Sequence, residues 1–137
     1  MSGYLLDTNV ASELRKGSRA NAGVLGWFES VEDSDLFLSV LVAGEIRKGV
    51  EQARFTDPAK AQALDLWLAG LERQYADRML PVTPAVADRW GRLSAIRPIS
   101  TVDCLLAATA LVHDMTLLTR NVADVAGTGV RLLNPFV

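Results

Sequence analysis

Short apolar segments alternate along this chain with longer segments whose apolar residues recur at helical spacing. The first pattern predicts buried strands, and the second predicts amphipathic helices. The predicted strands cover residues 3–7, 35–40, 78–83, 116–119 and 130–135. The predicted helices cover residues 8–16, 21–31, 41–54, 58–77, 84–97 and 102–114. This alternation predicts an α/β fold, with a central, mostly parallel sheet of four or five strands and helices on both faces.

Several residues mark where these elements begin and end. Thr8 is the expected N-cap of the first helix, which should stop at Gly17 because glycine favours helix ends. Asp57 followed by Pro58 predicts a capped helix start. Pro81 lacks an amide hydrogen, so the strand over 78–83 is expected at a sheet edge or to end early.

Length and composition set limits on the class of protein. We expect a single domain over residues 1–137, and the 50% of hydrophobic residues is ample for its core. No apolar run approaches the ~20 residues needed to span a bilayer, and no signal peptide is recognisable. Cys104 is the only cysteine, so no intrachain disulfide is possible, and we expect it in the core. These features favour a cytoplasmic protein without a membrane partner.

Four acidic residues follow or flank the predicted strand ends. Asp7 ends the first strand, Glu45 lies in the helix after the second, Asp103 follows "RPIST", and Asp124 follows "LLTRN". In parallel sheets, ligands bind at the carboxyl ends of the strands, where these acids can share one cleft. Four carboxylates in one cleft repel each other, and a hard cation such as Mg²⁺ or Mn²⁺ would relieve that repulsion. Taken singly, each is equally explained as a cap, a solvated helix acid or a loop residue.

Two other enzyme-like classes also place acids at strand ends. A phosphorylation-controlled receiver domain needs an aspartate at the end of a middle strand and a lysine at a later one. Here "DLFLSV" ends without an aspartate, and "LLTR" offers arginine. A phosphatase with an aspartate nucleophile needs a D-x-D pattern, which "DTN" does not supply. Both alternatives are therefore disfavoured.

Four segments in order resemble the motifs of PIN-domain ribonucleases of the VapC toxin family, FitB-like branch. They are "LLDTNV", "SVLVAGEIRKGV", "STVDCLLAATAL" and "LLTRNVADVAGTGVRLLNPF", and together they span essentially the whole chain. The family's acids map onto Asp7, Glu45, Asp103 and Asp124. Many members carry an acid directly after "TR", where this chain has Asn121, so Asp124 would take over that role.

The resemblance implies a three-layer α/β sandwich and a reaction. The reaction is hydrolysis of RNA phosphodiester bonds with one or two Mg²⁺ or Mn²⁺ ions, held by the four acids. Short polar side chains would orient the ligands or a bound water. These supporting residues are Thr8, Asn9, Thr119 and Asn121.

The net charge of −2 argues mildly against a nucleic-acid partner. When the four proposed ligands are set aside, however, lysine and arginine outnumber the remaining acids. Arg47 and Arg120 stand near proposed ligands in the sequence and are the first candidates for contact with RNA phosphates.

The resemblance also implies protein partners. Members form homodimers and pair with a small antitoxin, whose C-terminal segment wraps the helices and blocks the acidic cleft. An alternative is a non-catalytic PIN-fold module that acts only through its protein partner. Metal-dependent RNA cleavage would separate the enzyme from such a module.

Overall fold

The computed structural model describes residues 3–137, which contain a five-stranded sheet. Every strand pair in it is parallel, and the strand order is β3-β2-β1-β4-β5. The strands are β1 (Tyr4–Leu6), β2 (Leu36–Ser39), β3 (Met79–Leu80), β4 (Thr116–Leu118) and β5 (Arg131–Leu133). The α/β prediction is therefore confirmed, with five strands rather than four.

Seven α-helices connect these strands within the described residues. They are α1 (Thr8–Leu14), α2 (Ala22–Glu29), α3 (Val40–Thr56), α4 (Pro58–Gln74), α5 (Pro84–Ile96), α6 (Thr101–Val112) and α7 (Val122–Val125). The six predicted helices are all present, and only the four-residue α7 was not predicted. No helix in this part of the chain is both long and apolar enough to cross a bilayer.

Helices cover both faces of the sheet. Leu5 and Leu6 of β1 point to opposite faces, since side chains alternate along a strand, and both are buried. The same holds for Leu117 and Leu118 of β4. The sheet therefore has helices packed on both faces, as the sequence predicted. A smaller cluster between α5 and α6 buries Cys104, as expected.

Helix ends agree with the sequence predictions in part. Asp57 caps α4 and Pro58 is its first residue, as predicted. The α1 prediction needs a correction, because Asp7 and not Thr8 is the N-cap and α1 ends at Leu14. Asp7 is the last extended residue, and its carboxylate reaches the Thr8 amide. Gly17 takes a φ of +61° beyond the helix, a conformation that glycine adopts at little cost.

The strand order reverses at β1, which lies between β2 and β4. Chain connections leave the carboxyl ends of β1 and β4 in opposite directions, which opens a crevice at that edge. The amide of Asp7 donates to the carbonyl of Leu118 at 2.9 Å, so the two strand ends are joined just below the crevice. This edge positions the candidate site.

Candidate active site

Asp7 places a buried carboxylate at the carboxyl end of β1, and the residue is only 6% exposed. Its Oδ1 accepts a hydrogen bond from the Thr8 amide at 2.7 Å. Its Oδ2 accepts one from the Thr119 hydroxyl at 2.7 Å. The same carboxylate thus caps α1 and is fixed in orientation by the end of β4.

Asn9 connects the two strand ends from the first turn of α1. Its Nδ2 donates to Asp7 Oδ2 at 3.3 Å and to Thr119 Oγ1 at 3.4 Å. Its Oδ1 accepts from the Arg120 amide at 3.2 Å. Thr119 Oγ1 accepts from the Asn121 amide at 3.0 Å. The predicted supporting residues therefore surround Asp7, although Asn121 contributes its backbone to this network.

Glu45 and Asp103 are each held by a hydroxyl group. Glu45 lies on α3, and its Oε1 accepts from Thr8 Oγ1 at 2.5 Å. Asp103 lies in the first turn of α6, and its Oδ2 accepts from Ser100 Oγ at 2.7 Å. Their other carboxylate oxygens, Glu45 Oε2 and Asp103 Oδ1, have no hydrogen-bond partner among residues 3–137.

The pKa of Asp7 is raised above its ordinary value, mainly by burial of the carboxylate. The negative charges of Asp103 and Glu45 raise it further, which places both acids in the electrostatic environment of Asp7. Hydrogen bonds from Thr119 and Thr8 act in the opposite direction, because they stabilise the ionised form. The charges of Glu45 and Asp103 therefore act on the Asp7 carboxylate, and the region around these three acids is the acidic pocket.

No lysine or arginine in the described chain forms an ion pair with Asp7, Glu45 or Asp103. A buried anion without a positive partner is costly. An all-oxygen donor set with this charge suits Mg²⁺ or Mn²⁺. Across residues 3–137 no three acidic, histidine or cysteine side chains lie close enough to make a ready-formed metal cluster. The chemistry of the donors fits a divalent cation, while each of the three acids accepts a hydrogen bond from a hydroxyl group.

Asp124, the fourth predicted acid, is exposed on α7. Its backbone carbonyl accepts from the Arg97 guanidinium at 3.0 Å, and the carbonyl of Ala126 accepts from the same group at 2.6 Å. Arg97 therefore ties α7 to the end of α5. The role of Asp124 as a fourth ligand stays a prediction.

The two arginines predicted to contact RNA differ in their surroundings. Arg47 on α3 donates to Glu51 at 3.1 Å and to Asp65 on α4 at 2.9 Å, so its guanidinium is engaged by two carboxylates. Arg120 follows Thr119 directly, and its guanidinium carbon lies 4.6 Å from the ring centroid of Phe136. The position of Arg120 is beside the acidic pocket, whereas Arg47 joins two helices.

Sequence reasoning did not assign the hydroxyl of Ser100 to the site. Ser100 is the N-cap of α6 and Asp103 lies in its first turn, so their three-residue spacing at a helix start could have indicated that the two side chains are neighbours. The aromatic partner of Arg120, Phe136, was also not identified. No local sequence signal links these two residues.

A separate cavity of about 290 Å³ lies between α1, α2 and α4. Aromatic and aliphatic side chains line most of it, among them Phe28, Trp67 and Tyr75. The guanidinium carbon of Arg15, another lining residue, lies 5.7 Å from the Trp67 ring centroid. None of the four predicted acids lines this cavity.

The parallel sheet with acids at its reversal point is the arrangement expected of a PIN domain. The family model described as PIN domain matches residues 4–123. This chain therefore belongs to the PIN-domain family, which confirms the resemblance seen in the four motifs.

Two known relatives and one solved structure are similar to this chain over nearly its whole length. The chain is 30% identical to toxin FitB of Neisseria gonorrhoeae, over 96% of this chain and 97% of FitB. It is also 30% identical to VapC ribonuclease Y4jK of Sinorhizobium fredii, over 96% of both chains. The crystal structure of FitAcB from Neisseria gonorrhoeae contains a chain that matches at a TM-score of 0.84, over 96% of this chain and 97% of that one.

Proposed function

We propose that this chain is a metal-dependent endoribonuclease that hydrolyses RNA phosphodiester bonds and acts as the toxin of a toxin–antitoxin pair. The observation that carries the proposal is the buried carboxylate of Asp7, whose pKa is raised by burial and further by the charges of Asp103 and Glu45. The names of the full-length relatives, toxin FitB and VapC ribonuclease, support the same function.

Asp7, Glu45, Asp103 and Asp124 are the residues that would hold Mg²⁺ or Mn²⁺. In such a site a divalent cation supplies activation of a water molecule and neutralisation of phosphate charge. Thr119 stabilises the ionised form of Asp7 and fixes its orientation. Thr8 orients Glu45, and its backbone amide holds the other oxygen of Asp7.

The phosphate of RNA would approach this pocket past Arg120, which stands at the end of β4. The guanidinium offers positive charge for a backbone phosphate, whereas the acids in the pocket would repel RNA on their own. Arg47 could contribute only if its ion pairs with Glu51 and Asp65 were exchanged for phosphate.

A cognate antitoxin would inhibit the enzyme, and the active form would be a homodimer acting in the cytoplasm. The support for an antitoxin comes from the solved neighbours, which include FitAcB and the complex described as FitAB bound to an IR36 DNA fragment. An antitoxin that covers the acidic pocket would exclude RNA from it, and a positive side chain there would pair with the three acids.

The test is cleavage of total bacterial RNA by antitoxin-free protein with Mg²⁺, with Mn²⁺ and with EDTA. We expect cleavage that requires a divalent cation and that falls to the EDTA level in Asp7→Asn. The matched control is Asp88→Asn, because Asp88 is an exposed acid on α5 that pairs with Arg92. It makes the same chemical change away from the pocket and should cleave like the wild type.

Thermal unfolding in EDTA checks that both variants are folded. Cleavage that persists in Asp7→Asn would contradict the assigned site. Folded, metal-loaded protein that cuts no RNA would favour the alternative, a PIN-fold module that acts only by binding its partner.

A further inference from the structure

Arg120 is placed at the rim of the acidic pocket by the backbone on either side of it. Thr119, the preceding residue, donates its hydroxyl hydrogen to Asp7. The amide of Arg120 itself donates to Asn9 Oδ1 at 3.2 Å. Its Cα is therefore fixed relative to Asp7, and only the long side chain retains rotational freedom.

Phe136 restricts that freedom. The guanidinium carbon of Arg120 lies 4.6 Å from the centre of the Phe136 ring, within the range of a cation–π contact. The ring is half-buried and packs against the main core, so it offers the guanidinium a supported apolar face. Arginine has much rotamer entropy to lose on binding, and a stacking partner removes part of that loss in advance.

The C-terminal segment, residues 134–137, is itself anchored to α2. Asn21 Nδ2 donates to the Val137 carbonyl at 3.0 Å, and Asn21 Oδ1 accepts from the Val137 amide at 3.1 Å. A Cβ at Gly23 would collide with the Pro135 carbonyl and with Val137, so only glycine allows this close approach. The platform for Arg120 is thus built by a specific contact across the chain.

The guanidinium of Arg120 keeps its charge available. Within residues 3–137 it forms no ion pair at 4 Å or less. The charge of Arg120 is the last of the causes that lower the pKa of Glu13, after hydrogen bonds from Lys16 and the Asn21 amide and the charge of Lys16. Arg47, by contrast, is paired with two carboxylates.

We propose that Phe136 is a positioning residue that holds the Arg120 guanidinium at the rim of the pocket for contact with a backbone phosphate of RNA. This inference rests on the proposed function, because it assigns the residue that orients substrate at that same site. The segment that carries Phe136 thereby takes part in substrate binding, although it contributes no acid to the pocket.

The experiment compares Phe136→Leu, which removes the ring face, with Phe136→Tyr, which retains it. Loss of an exposed cation–π contact corresponds to about a two- to fivefold change in an equilibrium constant. We expect Phe136→Leu to raise KM for total bacterial RNA by about that factor with kcat unchanged, since the contact is equal in the ground and transition states. Phe136→Tyr should restore the wild-type KM.

A second readout is independent of catalysis. Filter retention of labelled total RNA in EDTA measures binding and its salt dependence. Arg120→Ala should reduce the salt slope by about 1, the value expected for one lost phosphate contact. Arg92→Ala, which removes an exposed arginine from α5, is the matched control for general loss of charge and should leave the slope unchanged.

The double variant Arg120→Ala/Phe136→Leu decides between positioning and simple structural support. If Phe136 acts through Arg120, the double variant binds RNA like Arg120→Ala alone. An additional loss in the double variant, or a wild-type KM in Phe136→Leu, would overturn the inference while leaving metal-dependent cleavage intact. Wild-type protein that neither retains nor cuts RNA would overturn the proposed function and this inference together.

Discussion

Replacement of Thr119 by valine should destabilise the protein in a way that depends on pH. Valine keeps the β-branched shape and removes the hydroxyl, which donates to Asp7 Oδ2 at 2.7 Å and accepts from the Asn121 amide at 3.0 Å; only the first of these bonds involves the charge of Asp7. Thr119 is 1% exposed, so water cannot readily replace the lost donor. The hydrogen bond stabilises the ionised carboxylate, and its removal should raise the pKa of Asp7 beyond the rise already caused by burial.

The expected loss in the free energy of unfolding depends on whether the hydrogen-bond acceptor, Asp7, is charged. A hydrogen bond to a charged group contributes about 1.5–3 kcal/mol, whereas one between neutral groups contributes about 0.5–1.5 kcal/mol. We therefore expect Thr119→Val to lower the free energy of unfolding by about 2 kcal/mol at neutral pH and by about 1 kcal/mol in acid. For a domain of this size the neutral value corresponds to a fall in Tm of about 8 °C.

The destabilisation caused by Thr119→Val should grow as pH rises. The variant's native state has the higher Asp7 pKa, so it binds more protons than the wild-type native state over the titration range. Its stability must then fall more steeply as pH rises through that range. The range begins near the ordinary aspartate value of 3.8 and extends upward, because the pKa of Asp7 is raised in both proteins.

Thr109→Val is the matched control. Thr109 is also fully buried, but its hydroxyl donates to the neutral carbonyl of Leu105 at 2.7 Å. Urea unfolding of both variants in EDTA across this pH range measures the two losses. The control should lose about 1 kcal/mol at every pH. Equal, pH-independent losses in Thr119→Val and Thr109→Val would refute the claim that Thr119 stabilises the charge of Asp7.

Three further predictions concern packing, ligand orientation and capping. Gly23→Ala should cost about 1–3 kcal/mol because its Cβ would press on the C-terminal segment, whereas Gly26→Ala in the same helix meets nothing within 4 Å and should add about 0.5–1 kcal/mol. Urea unfolding distinguishes them, and equal shifts would disprove the close approach. Thr8→Val should weaken Mn²⁺ binding about 10- to 100-fold by releasing Glu45. Isothermal titration calorimetry measures this, and an unchanged affinity would argue against an orienting role. Asp57→Ala should lower stability by about 1 kcal/mol through loss of the α4 cap. A thermal melt that overlays the wild type would show that the cap contributes nothing.

Local sequence patterns predicted the sheet and most of its helices because apolar periodicity is a local property. The strand over 78–83 was predicted at an edge on account of Pro81, and β3 is indeed an edge strand that ends at Leu80. Asp57 and Pro58 predicted the start of α4, because a capping residue followed by proline is also a local signal. Thr8 was wrongly predicted as the α1 cap, because two adjacent polar residues can both cap and only backbone geometry distinguishes them.

Contacts between distant residues could not be predicted in this way. Asp7 and Thr119 are 112 residues apart, and only the position of β4 beside β1 brings them together. The engagement of Arg47 by Asp65 depends on how α3 packs on α4. The stacking of Phe136 on Arg120 depends on the path of the C-terminal segment. The motifs therefore predicted candidate site residues, while the partners that orient them required the structure.

The pairing of β1 with β4 has a consequence for synthesis of the chain. Thr119 leaves the ribosome 112 residues after Asp7, and at about 5–20 residues per second this delay is roughly 6–22 s. Throughout that interval a nascent chain exposes Asp7 without the strand that supports it. The hydrogen bond from Thr119 to Asp7 can therefore form only late in translation, after β4 has been made.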